Sequence, residues 1–332
     1  MHKCESTGVN SIDPHIARLI EVARAYYLEN QTQAEIARSL GISRSRVSRH
    51  LTAAREMGLV EIRIVAPEKN ASIQAQQLQR RYPALKEVIV APTFSEDPDA
   101  IRAMIGRFAA NYLVSIIQPG QHLALGCGRT LRAMVEVMQK RSLSDVIVVQ
   151  AMGNIGHEAH QIDYNEIARK AAEILDGQVY YVSAPAILGI GSGRASDLID
   201  ANPTLQYSLS LARNADIYVV GLGSLESDQL YARVGLIQND ELEALRNHAI
   251  GDICGRFFDM NGERQPSPFD DRIVGIELED LSRATCAIGV AGGRDKALPL
   301  LGALRGGFIN VVITDERTLQ YILQIDQSAE GG

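Results

Sequence analysis

Apolar residues recur at three- and four-residue spacing from Pro14 to Leu28 (Ile16, Leu19, Ile20, Ala23, Tyr26, Tyr27), as on one face of a helix, until Glu29 and Asn30 break the pattern. Thr32 followed by Glu35 is a capping-box spacing. It satisfies free backbone N–H groups and starts a short helix through Gln33, Ile36, Ala37 and Leu40, which Gly41 ends. Ser43 caps a third helix, with Val47, Leu51 and Ala54 inward and Arg44, Ser45, Arg46, Ser48 and Arg49 outward. Small Ala37 lets two helices approach, Gly41 permits the left-handed turn, and Val47 fills the wedge, so the segment reads as a helix-turn-helix. Residues 59–65 alternate Val60, Ile62 and Ile64 with Glu61 and Arg63 after Gly58, the pattern of a short wing strand, which favours a winged variant.

Beyond residue 85 the pattern changes to short β-branched runs, each followed by glycine and then an amphipathic helix, at 87–91, 122–125, 146–150, 179–182, 217–220, 273–276, 287–290 and 309–313. This is the mark of an α/β domain, a doubly wound, mostly parallel sheet. The implied organisation is a helix-turn-helix domain over 1–66, a linker helix over 67–84 able to pair subunits, a large domain over 85–326 and a disordered tail over 327–332.

In such sheets ligands sit beyond the carboxyl ends of the strands. Four stretches suit that place. Gly126, Cys127, Gly128, Arg129 and Thr130 follow a strand and open a helix, so backbone N–H groups and the Thr130 hydroxyl suit an anion such as phosphate. Gly221, Leu222, Gly223 and Ser224 form a second transition, and Gly292, Gly293 and Lys296 a third in which an ammonium follows a glycine turn. Residues 250–259 form the fourth, where Asp252 accepts from sugar hydroxyls and Arg256 supports a neighbouring anion, while Phe257 and Phe258 pack. Any one of these glycines alone serves equally well as a plain turn residue; the combination favours binding.

Charge sharpens the picture. The 332 residues carry a net charge of −7, yet residues 1–66 hold nine Lys/Arg against seven Asp/Glu, net +2, which leaves −9 for the rest. Between Arg38 and Arg55 stand five arginines (Arg38, Arg44, Arg46, Arg49, Arg55) and no acid, a local excess suited to phosphate contacts. The third helix then enters the major groove, with Arg44, Arg46 and Arg49 as principal contacts and Thr32, Gln33, Ser43, Ser45 and Ser48 as further DNA-facing candidates on operator DNA. The alternative is a structural helical hairpin with a solvated basic face.

Composition excludes several classes. Hydrophobic residues at 46% and charged residues at 22% describe an ordinary globular protein. No apolar run reaches the ~18 residues of a membrane helix and the start has no signal core, so a cytoplasmic protein is expected. Cys4, Cys127, Cys254 and Cys286 are scattered, with no metal-ligand spacing, and neither a Walker A loop nor a full dinucleotide fingerprint occurs, so no metal or cofactor is expected.

Together, Tyr-Tyr-Leu at 26–28, Thr-Gln-Ala-Glu-Ile-Ala at 32–37, Gly-Arg-Thr at 128–130, the run at 251–259, and residues 291–296 and 310–315 resemble the SorC family of sugar-responsive bacterial transcriptional regulators, from about Ile16 to about Leu323. The resemblance implies an effector domain similar in fold to glucosamine-6-phosphate deaminase and ribose-5-phosphate isomerase, homodimers or homotetramers on palindromic operators, and a phosphorylated sugar as effector. By position it implies phosphate on Gly128, Arg129, Thr130 and Lys296, with Asp252, Arg233 and Asp163 on the rest of the ligand. Members often carry an aromatic residue where Cys127 stands, so the small thiol alters the pocket. The main rival is a sugar-phosphate isomerase or deaminase-type enzyme, since the same sheet and loops serve catalysis there. Against it, residues 221–227 offer Glu226 and no histidine, and the helix-turn-helix would lack a purpose. A third reading is an architectural factor that binds DNA without any effector.

Overall fold

The computed structural model describes residues 13–29, 31–60, 69–155, 164–226 and 237–328. The chain divides into two compact units, Met1–Pro67 and Glu68–Gly332.

The first unit is built of α1 (Pro14–Tyr27), α2 (Gln33–Leu40) and α3 (Arg44–Glu56). Thr32 and Glu35 close the capping box, with the Thr32 amide 2.8 Å from Glu35 Oε2 and the Glu35 amide 3.3 Å from Thr32 Oγ1. Gly41 adopts φ 65°, the left-handed conformation that turns α2 into α3 without a Cβ penalty. Val22, Ile36, Val47 and Leu51 form one small core, Ala37 packs against it, and Leu19, Ala23 and Ala54 form a second. The expected inward face of α3 is therefore the buried one. The wing expected over 59–65 falls largely on 61–65, outside the described residues.

The second unit opens with α4 (Lys69–Arg81), whose Leu78 is buried in the main core. A seven-stranded parallel sheet follows, in the order β1 (Glu87–Ala91), β11 (Val311–Asp315), β10 (Cys286–Val290), β5 (Ile217–Val220), β2 (His122–Leu125), β3 (Ile147–Gln150), β4 (Gln178–Tyr180). Every residue of β5 and β11 is buried, as a strand covered on both faces requires. Helices α5 (Pro98–Ile116), α6 (Arg129–Val137) and α7 (Tyr164–Leu175) pack on one another in sequence. Helix α9 (Pro203–Arg213) lies on β2 and β3, and α4 and α12 (Ala297–Arg305) both pack on α13 (Glu316–Ser328). Shorter helices α8 (Ala195–Asp200), α10 (Asn239–Arg246) and α11 (Leu278–Ser282) complete the set among the described residues. Helix α13 runs through Ser328, two residues into the expected tail; residues 329–332 lie outside the described set.

Two expectations need correction. The buried run Ile273, Val274 and Ile276 is not a strand of the sheet. It makes only single bridges, Ile187 with Ile273 and Met152 with Gly275, because its neighbours are the loops leaving β3 and β4 rather than another strand. Residues 250–259 are no βα loop but a hairpin of β7 (Gly251–Ile253) and β8 (Arg256–Phe258), flanked by β6 (Gly223–Ser224) and β9 (Arg264–Gln265) in a four-stranded antiparallel sheet. Its tight turn places Cys254 at φ 51° and Gly255 at φ 79°, the left-handed pair that suits a two-residue connection.

Candidate functional site

After β2 the chain leads outward to β3 and β4, whereas after β5 it leads the other way to β10 and β11. The strand order therefore reverses between β2 and β5, and a crevice opens beyond their carboxyl ends. A crevice of about 790 Å³ lies there, lined by the loops after β2, β5 and β10, by the start of α5 and by the β7–β8 hairpin. That volume suits a small metabolite.

Gly128 (φ 131°) precedes α6 and supplies no side-chain cap, so the first-turn N–H groups of α6 suit an anionic guest. Arg129 and Thr130 line the same wall. Across the crevice Gly293 (φ 102°) leads into a single 3₁₀ turn, Arg294–Lys296, which brings Lys296 to the lining, its Nζ 3.5 Å from Asp295. The Gly293 amide is held by Asp315 Oδ2 at 3.0 Å and Thr318 Oγ1 at 2.8 Å. Gly221, Gly223 and buried Asp252 form the floor, where Asp252 Oδ2 accepts from the Gly255 amide at 3.0 Å.

Of the expected effector residues, Gly128, Arg129, Thr130, Gly221, Gly223, Asp252 and Lys296 thus share one crevice. Gly126 does not line it. A Cβ there would stand 3.3 Å from Val220 Cα, so this glycine serves the close approach of β2 and β5. Asp163 and Arg233 lie outside the described residues. Arg256 is likewise no crevice residue: its buried guanidinium donates to the Asp270 carbonyl at 3.0 Å and to Glu277 Oε1 at 2.6 Å, tying the hairpin to the segment before α11.

Sequence reasoning missed the wall formed by Glu96, Pro98, Asp99, Ile101 and Arg102. Its one sequence signal is Asp97–Pro98, a cap and helix-opening proline just after β1, which marks another strand-to-helix junction on the same edge. Here Arg102 pairs with Asp99 and, with help from Arg129, holds its carboxyl below the usual range. Tyr164 and Cys254 were missed too. Burial pushes the Cys127 thiol well up and the Cys254 thiol to about 12, so both present neutral, weakly polar faces to the crevice and neither is an activated nucleophile.

On the first unit, Arg44, Ser45, Arg46, Ser48 and Arg49 are all exposed on α3, opposite buried Val47 and Leu51. Gln33 is half-buried and Thr32 exposed. The hydroxyls of Thr32 and Ser43 already serve as helix caps, Ser43 accepting from the Arg46 amide at 3.3 Å, so their first role is to set the two helix starts.

No helix among the described residues is long and apolar enough to cross a membrane, and no cluster of three or more His, Cys, Asp or Glu placed to hold a metal occurs among them. Residues 67–324 match the family described as "Putative sugar-binding domain", and residues 18–56 match "Sigma-70, region 4". The chain is 31% identical to the deoxyribonucleoside regulator of Bacillus subtilis (strain 168), over 92% of this chain and 96% of that protein. It is 30% identical to the sorbitol operon regulator of Klebsiella pneumoniae, over 93% of this chain and 98% of that one. The crystal structure of the full-length sorbitol operon regulator SorC from Klebsiella pneumoniae superposes with a TM-score of 0.76 at 30% identity, covering 95% of this chain and 100% of that chain. A helix-turn-helix joined to this crevice-bearing sheet, matched over nearly the whole length, makes the chain a member of the SorC family of sugar-binding transcriptional regulators, DNA-binding proteins rather than enzymes.

Proposed function

We propose that the effector is a phosphorylated sugar, its phosphate on the first turn of α6 at Gly128, Arg129 and Thr130 with Lys296 opposite, and its hydroxyls on Asp252. The observation that carries this reading is the uncapped start of α6 facing a lysine across a crevice at the strand-order reversal. Asp163 and Arg233 belong to the proposed ligand shell on the resemblance alone. The working form is a cytoplasmic homodimer or homotetramer, with residues 1–66 reading operator DNA, 67–84 linking and pairing subunits, and 85–326 sensing. Effector occupancy favours one subunit arrangement over another and so changes operator affinity; only differential affinity for the two arrangements can do this.

The test is a thermal-shift panel of phosphorylated sugars against their unphosphorylated counterparts. A specific ligand at a hundredfold excess over its Kd stabilises by about 2.7 kcal/mol. At least one phosphorylated sugar is expected to raise Tm, with its counterpart inactive and Lys296→Ala abolishing the shift. An unphosphorylated sugar that stabilises wild type and Lys296→Ala equally would overturn the phosphate assignment.

A further inference from the structure

Two helices leave the crevice loop and its neighbouring strand, and both end at one buried carboxylate. Helix α12 begins at Ala297, directly after Lys296, and near its end Arg305 Nη2 donates to Asp326 Oδ1 at 2.7 Å. Helix α13 begins after Asp315, the residue that with Thr318 holds the Gly293 amide, and it carries Asp326 in its last turn. Asp326 is 1% exposed. It also accepts from Tyr82 Oη at 2.8 Å and pairs with Arg81, whose Nη2 donates to the Asp326 carbonyl at 2.9 Å. Arg81 is the last residue of α4 and Tyr82 follows it directly; α4 is the first described element after the DNA-binding unit in sequence.

A buried carboxylate held by two guanidiniums and a phenol is a poor source of net stability, since an apolar side chain packs there at no desolvation cost. What it does supply is a single register among α4, α12 and α13. Leu319, Ile322 and Leu323 bury the helix between the two carboxylates, which stand about 16 Å apart at 1.5 Å per residue. At the near end the same helix turn also holds the segment between β1 and α5: Thr93 donates to Glu316 Oε2 at 3.2 Å through its amide and to Asp315 Oδ1 at 3.3 Å through its hydroxyl.

We propose that Asp315 and Asp326 are positioning residues at the two ends of α13, through which displacement of the Gly293 loop in the crevice is passed to the end of α4. The inference rests on the crevice being the effector site. It adds the route by which occupancy leaves that site.

The test is a double-mutant cycle on the full-length chain, Asp315→Asn against Tyr82→Phe, read without any effector. Residues this far apart with no shared partner combine additively to within about twofold. The readout is affinity for a DNA duplex enriched from a random pool by the wild-type chain, together with amide exchange of residues 74–81. Asp315→Asn is expected to change duplex affinity about fivefold or more in the wild-type background and to speed exchange in α4, with both effects reduced by more than about twofold when Tyr82 is already Phe. Additive effects on affinity and exchange overturn the proposal. Thr318→Val replaces Asp315→Asn should that chain not fold. A wild-type chain that enriches no duplex refutes DNA binding itself, and the exchange cycle then decides the relay alone.

Discussion

Gly223 and Asp252 face each other across the β6–β7 ladder so closely that a Cβ on Gly223 would lie 1.8 Å from Asp252 Oδ1. The missing side chain is what lets a buried carboxylate sit on the crevice floor. Gly223→Ala is therefore expected to push Asp252 from its place, at a cost of about 1–3 kcal/mol from overpacking. Urea denaturation measures the stability loss, and calorimetry with the sugar found in the thermal-shift panel measures the affinity loss. A variant as stable and as tight-binding as wild type would show that the carboxylate has another place to go.

Gly41 presents the opposite case, since a Cβ there meets nothing within 4 Å and the only objection to a side chain is its φ of 65°. Gly41→Ala is expected to destabilise the helical unit by about 1–2 kcal/mol through backbone strain alone. Gly41→Asn is expected to recover part of that, because Asn tolerates the left-handed region. Amide exchange of α2 and α3 in the three chains reads the order directly; equal exchange in all three would mean the turn is not what fixes the helix pair.

The helical unit was legible because helix period, capping box and a left-handed glycine all point the same way within 43 residues, from Pro14 to Glu56. The central strands were legible because a strand buried on both faces is a continuous apolar run. The same rule misled at 273–276, where Ile273, Val274 and Ile276 are as buried as any strand but have only loops beside them. The small antiparallel sheet was invisible as strands because two or three residues are too few to show a period of two. At the crevice, glycines marked the loops after β2, β5 and β10, but the α5 wall contains no glycine, and the nearness of its residues depends on β1 lying at the edge of the sheet beside β11. Arg256 shows the limit most plainly: its motif suggested an anion site, whereas its guanidinium turns inward to Glu277 and Asp270.

His50 links acidity to the DNA-binding unit. Burial first, then the nearby charges of Arg46, His15, Arg18 and Arg49, hold its pKa below the ordinary 6.5, and the His15 and His50 rings lie edge to face at 6.2 Å. The unfolded chain thus takes up the proton at a higher pH than the folded one. Stability is full above the ordinary histidine range and falls as pH drops through 6.5 toward the lowered value, below which this group causes no further loss. Exchange protection of α1 and α3, measured from pH 7.5 down to about 5 after correction for intrinsic rates, is expected to decline in wild type and to flatten in His50→Gln. A parallel decline in both chains would assign the effect to other groups.

The DNA contacts themselves separate by their response to salt. Arg46 and Arg49 are exposed on α3 while Val47 between them is fully buried, so neither arginine carries the fold of the unit and either is free to meet a duplex. An arginine bonded to a guanine edge contributes about 1–3 kcal/mol of discrimination, whereas one on a phosphate weakens binding to all sequences alike and lowers the salt slope by about one. Arg46→Ala and Arg49→Ala are each expected to weaken binding to the selected duplex while leaving Tm and sugar binding intact. Titrations at several salt concentrations, on the selected and on a scrambled duplex, then sort each residue into one role. If both variants keep wild-type affinity and slope, α3 does not lie in the groove, and the basic face of this helix needs another explanation.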